Sequence, residues 1–116
     1  MSFDLGFWHE DAQSSVERAA EIYDRLTDGE DGVVPGAPAV DSFFTDVLAR
    51  FGDLTVENMD ESPWTSPLYR TSECVIANIA YSRSQEVAPV LRRLANAHGL
   101  TVFDPQKQEV HHPAVS

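Results

Sequence analysis

Apolar residues recur along this chain with two periods, and the switches between them lay out the expected elements. Phe3, Leu5 and Phe7 alternate with Asp4, Gly6 and Trp8, the period-two signature of a half-buried strand. Polar residues lead to Ser14, three before Glu17, which predicts a capping box. Val16, Ala19, Ala20, Tyr23 and Leu26 follow at helical spacing, with Glu21 and Arg25 as a favourable i,i+4 pair. Gly29 predicts the helix stop. Residues 28–37 carry three glycines, one proline and three acids, and are expected to be the most mobile segment.

A second helix is the strongest periodic feature. Val40, Phe43, Phe44, Val47, Leu48 and Phe51 form its apolar stripe, opposite Asp41, Thr45, Asp46 and Arg50. Pro38 suits its first turn and Gly52 its end. No period survives from 53 to 67, and long aperiodic loops in compact domains are often functional. A short strand is expected at 68–70, then a turn at 71–73. Residues 74–81 are apolar except Asn78, as in a central strand covered on both faces.

Ser82 or Ser84 caps a third helix whose stripe is Val87, Val90, Leu91, Leu94, Ala95 and His98. Pro89 falls inside it and predicts a late or irregular start. After Gly99 come a strand at 100–103, a turn at 104–107 and a last strand at 110–112. The order β-α-α-β-β-α-β-β gives an α+β fold. Removing the second helix and last strand leaves βαββαβ, a ferredoxin-like core with helices on one sheet face. The expectation is thus a ferredoxin-like core with an extra helix and a C-terminal hairpin strand. Right-handed crossovers place the first strand beside residues 74–81 at the sheet centre.

Composition narrows the class. A chain of 116 residues with 42% apolar and 23% charged content fits one globular domain, 1–116. No apolar run is long enough for a membrane helix, and the first residues lack a signal-peptide pattern. With a single cysteine, Cys74, no intrachain disulfide forms, and a cytoplasmic location is expected. Charge is divided unevenly. Residues 1–61 hold 15 Asp/Glu against 3 Lys/Arg, a net of −12, while residues 62–116 hold 4 against 5, a net of +1. Such a field disfavours nucleic acid and anionic membranes and steers a basic partner.

Candidate chemistry is sparse. Glu109 and His111 share a strand face while His112 points the other way, and no zinc spacing is present, so no metal and no cofactor is expected. Cys74 opens an apolar strand and reads as a core residue. The serines sit at caps and turns, and Asp104 before Pro105 is a turn former. No P-loop, nucleophile elbow or dinucleotide fingerprint occurs. No catalytic residue is assigned, and an enzyme is not the expectation.

Three segments carry a resemblance: Met1-Ser2-Phe3-Asp4-Leu5, Glu57-Asn58-Met59-Asp60-Glu61-Ser62-Pro63-Trp64, and Gly99-Leu100-Thr101-Val102-Phe103-Asp104-Pro105-Gln106. They resemble landmarks of a family of small acidic bacterial proteins of actinomycete type, across most of the chain. Family members tend to carry tryptophan at the position of Tyr81 and tyrosine at that of Phe103. The chain is more distantly similar to immunity proteins that protect bacteria from neighbours' toxins. The resemblance implies no activity and no catalytic residue.

One feature remains, the loop around Trp64. Pro63 and Pro67 restrict its freedom, so the ring is presented at low entropic cost. With Glu57, Asp60 and Glu61 upstream, Trp64 suits an anchor against a basic protein. Alternatively the ring folds inward as a lid on Leu68 and the aromatics of the second helix, the preferred of the two. Candidate binding residues are Glu57, Asp60, Glu61 and Trp64. Two functions stay open: an immunity- or antitoxin-like interaction module, and a small ligand-binding or enzymatic domain using the sheet face or the Trp64 loop.

Overall fold

A computed structural model describes residues 2–113; Met1 of the opening motif lies outside them. Nine elements follow one another: β1 (Ser2–Trp8), α1 (Val16–Thr27), α2 (Pro38–Phe51), β2 (Tyr69–Arg70), β3 (Cys74–Ala80), a 3₁₀ turn (Tyr81–Arg83), α3 (Ser84–Ala97), β4 (Thr101–Asp104) and β5 (Glu109–His111). The fold is α+β. Its five strands pair antiparallel in the order β2-β3-β1-β4-β5. β1 lies beside β3 along its whole length, Leu5 opposite Ala77 and Phe7 opposite Val75, as the crossover argument expects. β5 closes a hairpin with β4.

The alternation in β1 divides the core into two layers. Leu5 and Phe7 join Val75, Ala77, Ile79 and Val102 on one face, under Val40, Phe43 and Val47 of α2 and Val87, Leu91 and Ala95 of α3. Trp8 joins Cys74, Ile76 and Phe103 on the other, under Ala19, Ile22 and Leu26 of α1. The expectation of helices on a single face is therefore corrected. α1 covers the second face, because its own stripe needs a sheet to bury it. Tyr23 of α1 lies so close to β1 that a Cβ at Gly6 would stand 2.8 Å from its ring. Only glycine permits that approach.

Local details shift by small steps. The α1 cap is Ser15, whose Oγ accepts from the Arg18 amide at 3.1 Å, one residue beyond the expected Ser14. Arg18 pairs with Glu21 and Arg25 with Glu30, in place of Glu21 with Arg25. In α2, Val40, Phe43 and Val47 are fully buried. Phe44, Leu48 and Phe51 are only partly covered, and the Arg70 guanidinium lies over the Phe44 ring at 4.9 Å. Pro89 sits inside α3, which runs helical from Ser84 rather than starting late, after a 3₁₀ turn at Tyr81–Arg83. Ser84 Oγ donates to the Tyr81 carbonyl at 2.8 Å, and no side chain caps the helix. Ala88 takes a core place, while Val90 stays half-buried.

The loop 28–37 is held down. One Glu73 carboxylate accepts from the amides of Gly32 at 2.9 Å, Val33 at 2.9 Å and Val34 at 3.2 Å. Val33 and Val34 are thereby buried against the α1 layer. Those three backbone donors hold the Glu73 carboxyl below the usual carboxylate range, against a smaller opposing effect of burial.

Candidate functional site

The 53–67 loop has little regular structure but is fully specified at its base. Gly52 ends α2 with φ +68° and turns the chain away from the helix. Asp53 Oδ1 accepts from the amides of Leu54 at 2.8 Å and Leu68 at 2.9 Å, so one carboxylate joins both ends. Asn58 bridges the middle: its Oδ1 accepts from the Thr55 amide and its Nδ2–H donates to the Asp53 carbonyl, both at 2.8 Å. The returning arm pairs with β3. Trp64 bridges Ile79, the Thr65 amide donates to the Asn78 carbonyl at 2.8 Å, and the Ala80 amide donates to the Pro63 carbonyl at 2.7 Å. Arg83 adds a bond from its guanidinium to the Glu61 carbonyl at 2.9 Å.

Trp64 is the pin. Its side chain lies in the α2–α3 layer at 3% exposure. The indole N–H donates to the Gly52 carbonyl at 2.8 Å, capping the end of α2, and the ring meets Phe51 edge-on at 5.6 Å between centroids. The inward lid is the observed arrangement. Trp64 is accordingly removed from the set of surface anchors, since a ring so buried has no face left for a partner. Glu57, Asp60 and Glu61 are exposed on the tip as expected.

What the sequence reading passed over is what else the tip displays. Val56 is 85% and Met59 62% exposed, interleaved with the three acids. The signal was present: these are the apolar residues of an acidic, aperiodic stretch that the internal bonds leave outside. The loop brings together two apolar side chains and three carboxylates on a fixed base.

The other candidates resolve as structure. Cys74 is fully buried, and burial pushes its thiol up, away from the thiolate a nucleophile needs. Asp104 is fully buried, and its Oδ1 accepts from the amides of Gln106 and Lys107 and from the Gln106 side chain. Gln106 in turn exchanges bonds with the Asp4 backbone, 2.6 Å and 2.9 Å. The Asp-Pro-Gln motif is thus a turn that stitches the β4–β5 hairpin to β1. Glu109 and His111 approach to 3.4 Å, while His112 turns away and donates from Nε2 to the Ser14 carbonyl at 2.9 Å. No group of three or more His, Cys, Asp or Glu is placed to hold a metal among the described residues. Glu10 lies nearly buried between β1 and α1. Burial pushes its carboxyl up, but donors from Trp8, Ser14 and Thr101 outweigh that and leave it below its ordinary value.

Two surface clefts lie elsewhere on the fold. One, of about 350 Å³, is lined by Tyr23, Asp28, Tyr69, Ile76 and Asn78 and contains no cationic side chain. Burial, with the carboxylates of Asp4 and Asp24, pushes the Tyr23 phenol up to about 12. The other, of about 290 Å³, opens between β1, α3 and the β4–β5 turn. No helix among the described residues is long and apolar enough to cross a membrane. No protein family matches the chain, no curated protein matches its sequence, and no solved structure matches its fold.

Proposed function

We propose that the protein is a small acidic interaction module that binds a basic protein through the 53–67 loop, in an immunity- or antitoxin-like role in the cytoplasm. One observation carries this reading: Val56 and Met59 stand exposed among Glu57, Asp60 and Glu61 on a loop whose base is fixed by Asp53, Asn58 and Trp64. An apolar centre within a charged rim is the usual anatomy of a binding patch. A loop already held in shape loses little freedom on docking. The net −12 of residues 1–61 adds long-range attraction for a cationic partner. The cation-free cleft between Tyr23 and Tyr69 supports the same partner chemistry, because tyrosine faces and a carboxylate suit an ammonium or guanidinium.

The order β2-β3-β1-β4, with α2 and α3 on one face, supports a ferredoxin-like βαββαβ unit carrying α1 and β5 as additions. The resemblance to small acidic bacterial proteins supports the module reading without supplying an activity.

Basic proteins encoded beside its gene are the partners to test. Association kinetics measured at 50 and 500 mM salt should show an association rate that falls at least tenfold, with dissociation little changed, since screening acts within about 10 Å. Binding indifferent to salt, or undiminished after Val56→Ser with Met59→Ser, would overturn the reading.

A further inference from the structure

Pro89, the residue that least fits its helix, lines the 290 Å³ cleft together with Phe3, Tyr81, Gln85, Arg92 and Lys107. We propose that this cleft is a binding site for a small aromatic carboxylate. The inference is independent of the protein-partner reading and concerns a different part of the surface.

The charge of the lining is the first argument. The chain carries −11 overall, yet this cleft is lined by two cations and no carboxylate. Lys107 is the only lysine in the sequence, and its ammonium forms no ion pair among the described residues. A chain that uses arginine everywhere else places its one compact ammonium here.

Unspent hydrogen-bonding capacity is the second. Arg92 reaches Asp104 through one terminal nitrogen at 3.4 Å, a long contact to a carboxylate already occupied by the turn. The Arg92 Nε–H is buried without any partner. Buried donors are seldom left unpaired, so a water or a ligand oxygen is expected beside this one. The site thus offers guanidinium and ammonium donors, a set that suits a carboxylate.

The walls decide what carries the charge. Phe3 and Tyr81 hold their rings 6.4 Å apart at 57°, and Tyr81 is still 58% exposed. A flat ring laid against the exposed face of Tyr81 gains aromatic contact and buries that surface. An inorganic anion would leave the walls wet. The volume is at the low end for ligand pockets, so the occupant has about the size of benzoate.

Amide NMR titration of the full chain tests the proposal with benzoate, its neutral isostere benzamide, acetate and inorganic phosphate. Benzoate should bind saturably, on the order of 1 mM for a ligand of this size, moving amides at 81–88, 90–92 and 106–108. Benzamide, acetate and phosphate should each bind at least tenfold more weakly. Lys107→Gln should weaken benzoate several-fold with an unchanged unfolding midpoint, and Tyr81→Ala should weaken it likewise. Arg92→Gln removes a charge that also faces the buried Asp104 carboxylate and can destabilise the chain, so Lys107→Gln is the deciding variant. Equal binding of benzoate and benzamide, tighter binding of phosphate, or benzoate affinity unaltered by Lys107→Gln would each overturn the site.

Discussion

Two long loops flank α2, and each is held by a single carboxylate, but they come to opposite ends. In the 28–37 loop the carboxylate is Glu73, about forty residues away in sequence, and the loop turns its apolar residues Val33 and Val34 inward. In the 53–67 loop the carboxylate is Asp53, at the loop's own root, and the tip turns Val56 and Met59 outward. Both are ordered by buried or shared hydrogen bonds rather than by secondary structure. The first spends its order on covering the α1 layer. The second uses Trp64 to anchor its base and leaves its apolar tip unspent. Being pinned does not distinguish a structural loop from a presenting one; the direction of its apolar residues does.

Removing each pin is the strongest way to break that comparison. Trp64→Ala deletes a buried ring, its edge-on contact with Phe51 and the bond to the Gly52 carbonyl. The loss should be about 3–5 kcal/mol in denaturant unfolding, typical of a large aromatic removed from a core. Trp64→Phe keeps most of the packing and should cost roughly half as much. A loss below about 1 kcal/mol for the alanine variant would put the ring at the surface and make the loop base unsupported.

Glu73→Ala is the matching change in the other loop. It strips three backbone donors of their acceptor, but water can reach part of the site. The expected loss is about 1–2 kcal/mol after allowing for that screening. The pH dependence gives an independent reading. The Glu73 carboxyl is lowered in the folded state, so the unfolded chain binds its proton first as acid is added. Its contribution is complete above the ordinary glutamate value near about 4.3 and is lost as pH falls through the lowered folded value. Wild type should therefore shed stability on acidification more steeply than Glu73→Gln does. Parallel acid slopes for the two proteins would mean that the carboxylate does not pin the loop.

These pins also mark where the sequence could be read and where it could not. The strand at β1 and the stripe of α2 were legible because each is a periodic pattern set by one partner layer. The face taken by α1 was not, because an amphipathic helix needs a sheet but its stripe does not say which side. Nor does a period announce that Glu73 reaches back forty residues to three amides, or that Asp53 closes its own loop. Such bonds join residues through the fold. For the candidate site, the acids Glu57, Asp60 and Glu61 were visible from charge and stand exposed as expected. Trp64 was visible as an unusual residue, but its direction depended on Gly52 and Phe51 being in reach. Val56 and Met59 were not legible, because nothing in an aperiodic stretch distinguishes an apolar residue the fold buries from one it leaves in water.

The smallest expected effect is on stability at the tip itself, and it sharpens the comparison most. Val56 and Met59 are largely in water, so replacing both with serine removes little packing. Their backbone positions are held by bonds that involve Thr55, Asn58 and Asp53 rather than by their side chains. Unfolding of the double variant should stay within about 0.5 kcal/mol of wild type, as for surface changes away from caps and networks. The equivalent change in the other loop, Val33→Ser with Val34→Ser, buries two hydroxyls against the α1 layer and should cost several times more. If the loops differ as argued, the two double variants separate widely by unfolding midpoint alone, with no partner in hand. A tip variant as costly as the Val33 and Val34 pair would mean that Val56 and Met59 pack against the fold in solution, and would remove the surface on which the interaction reading stands.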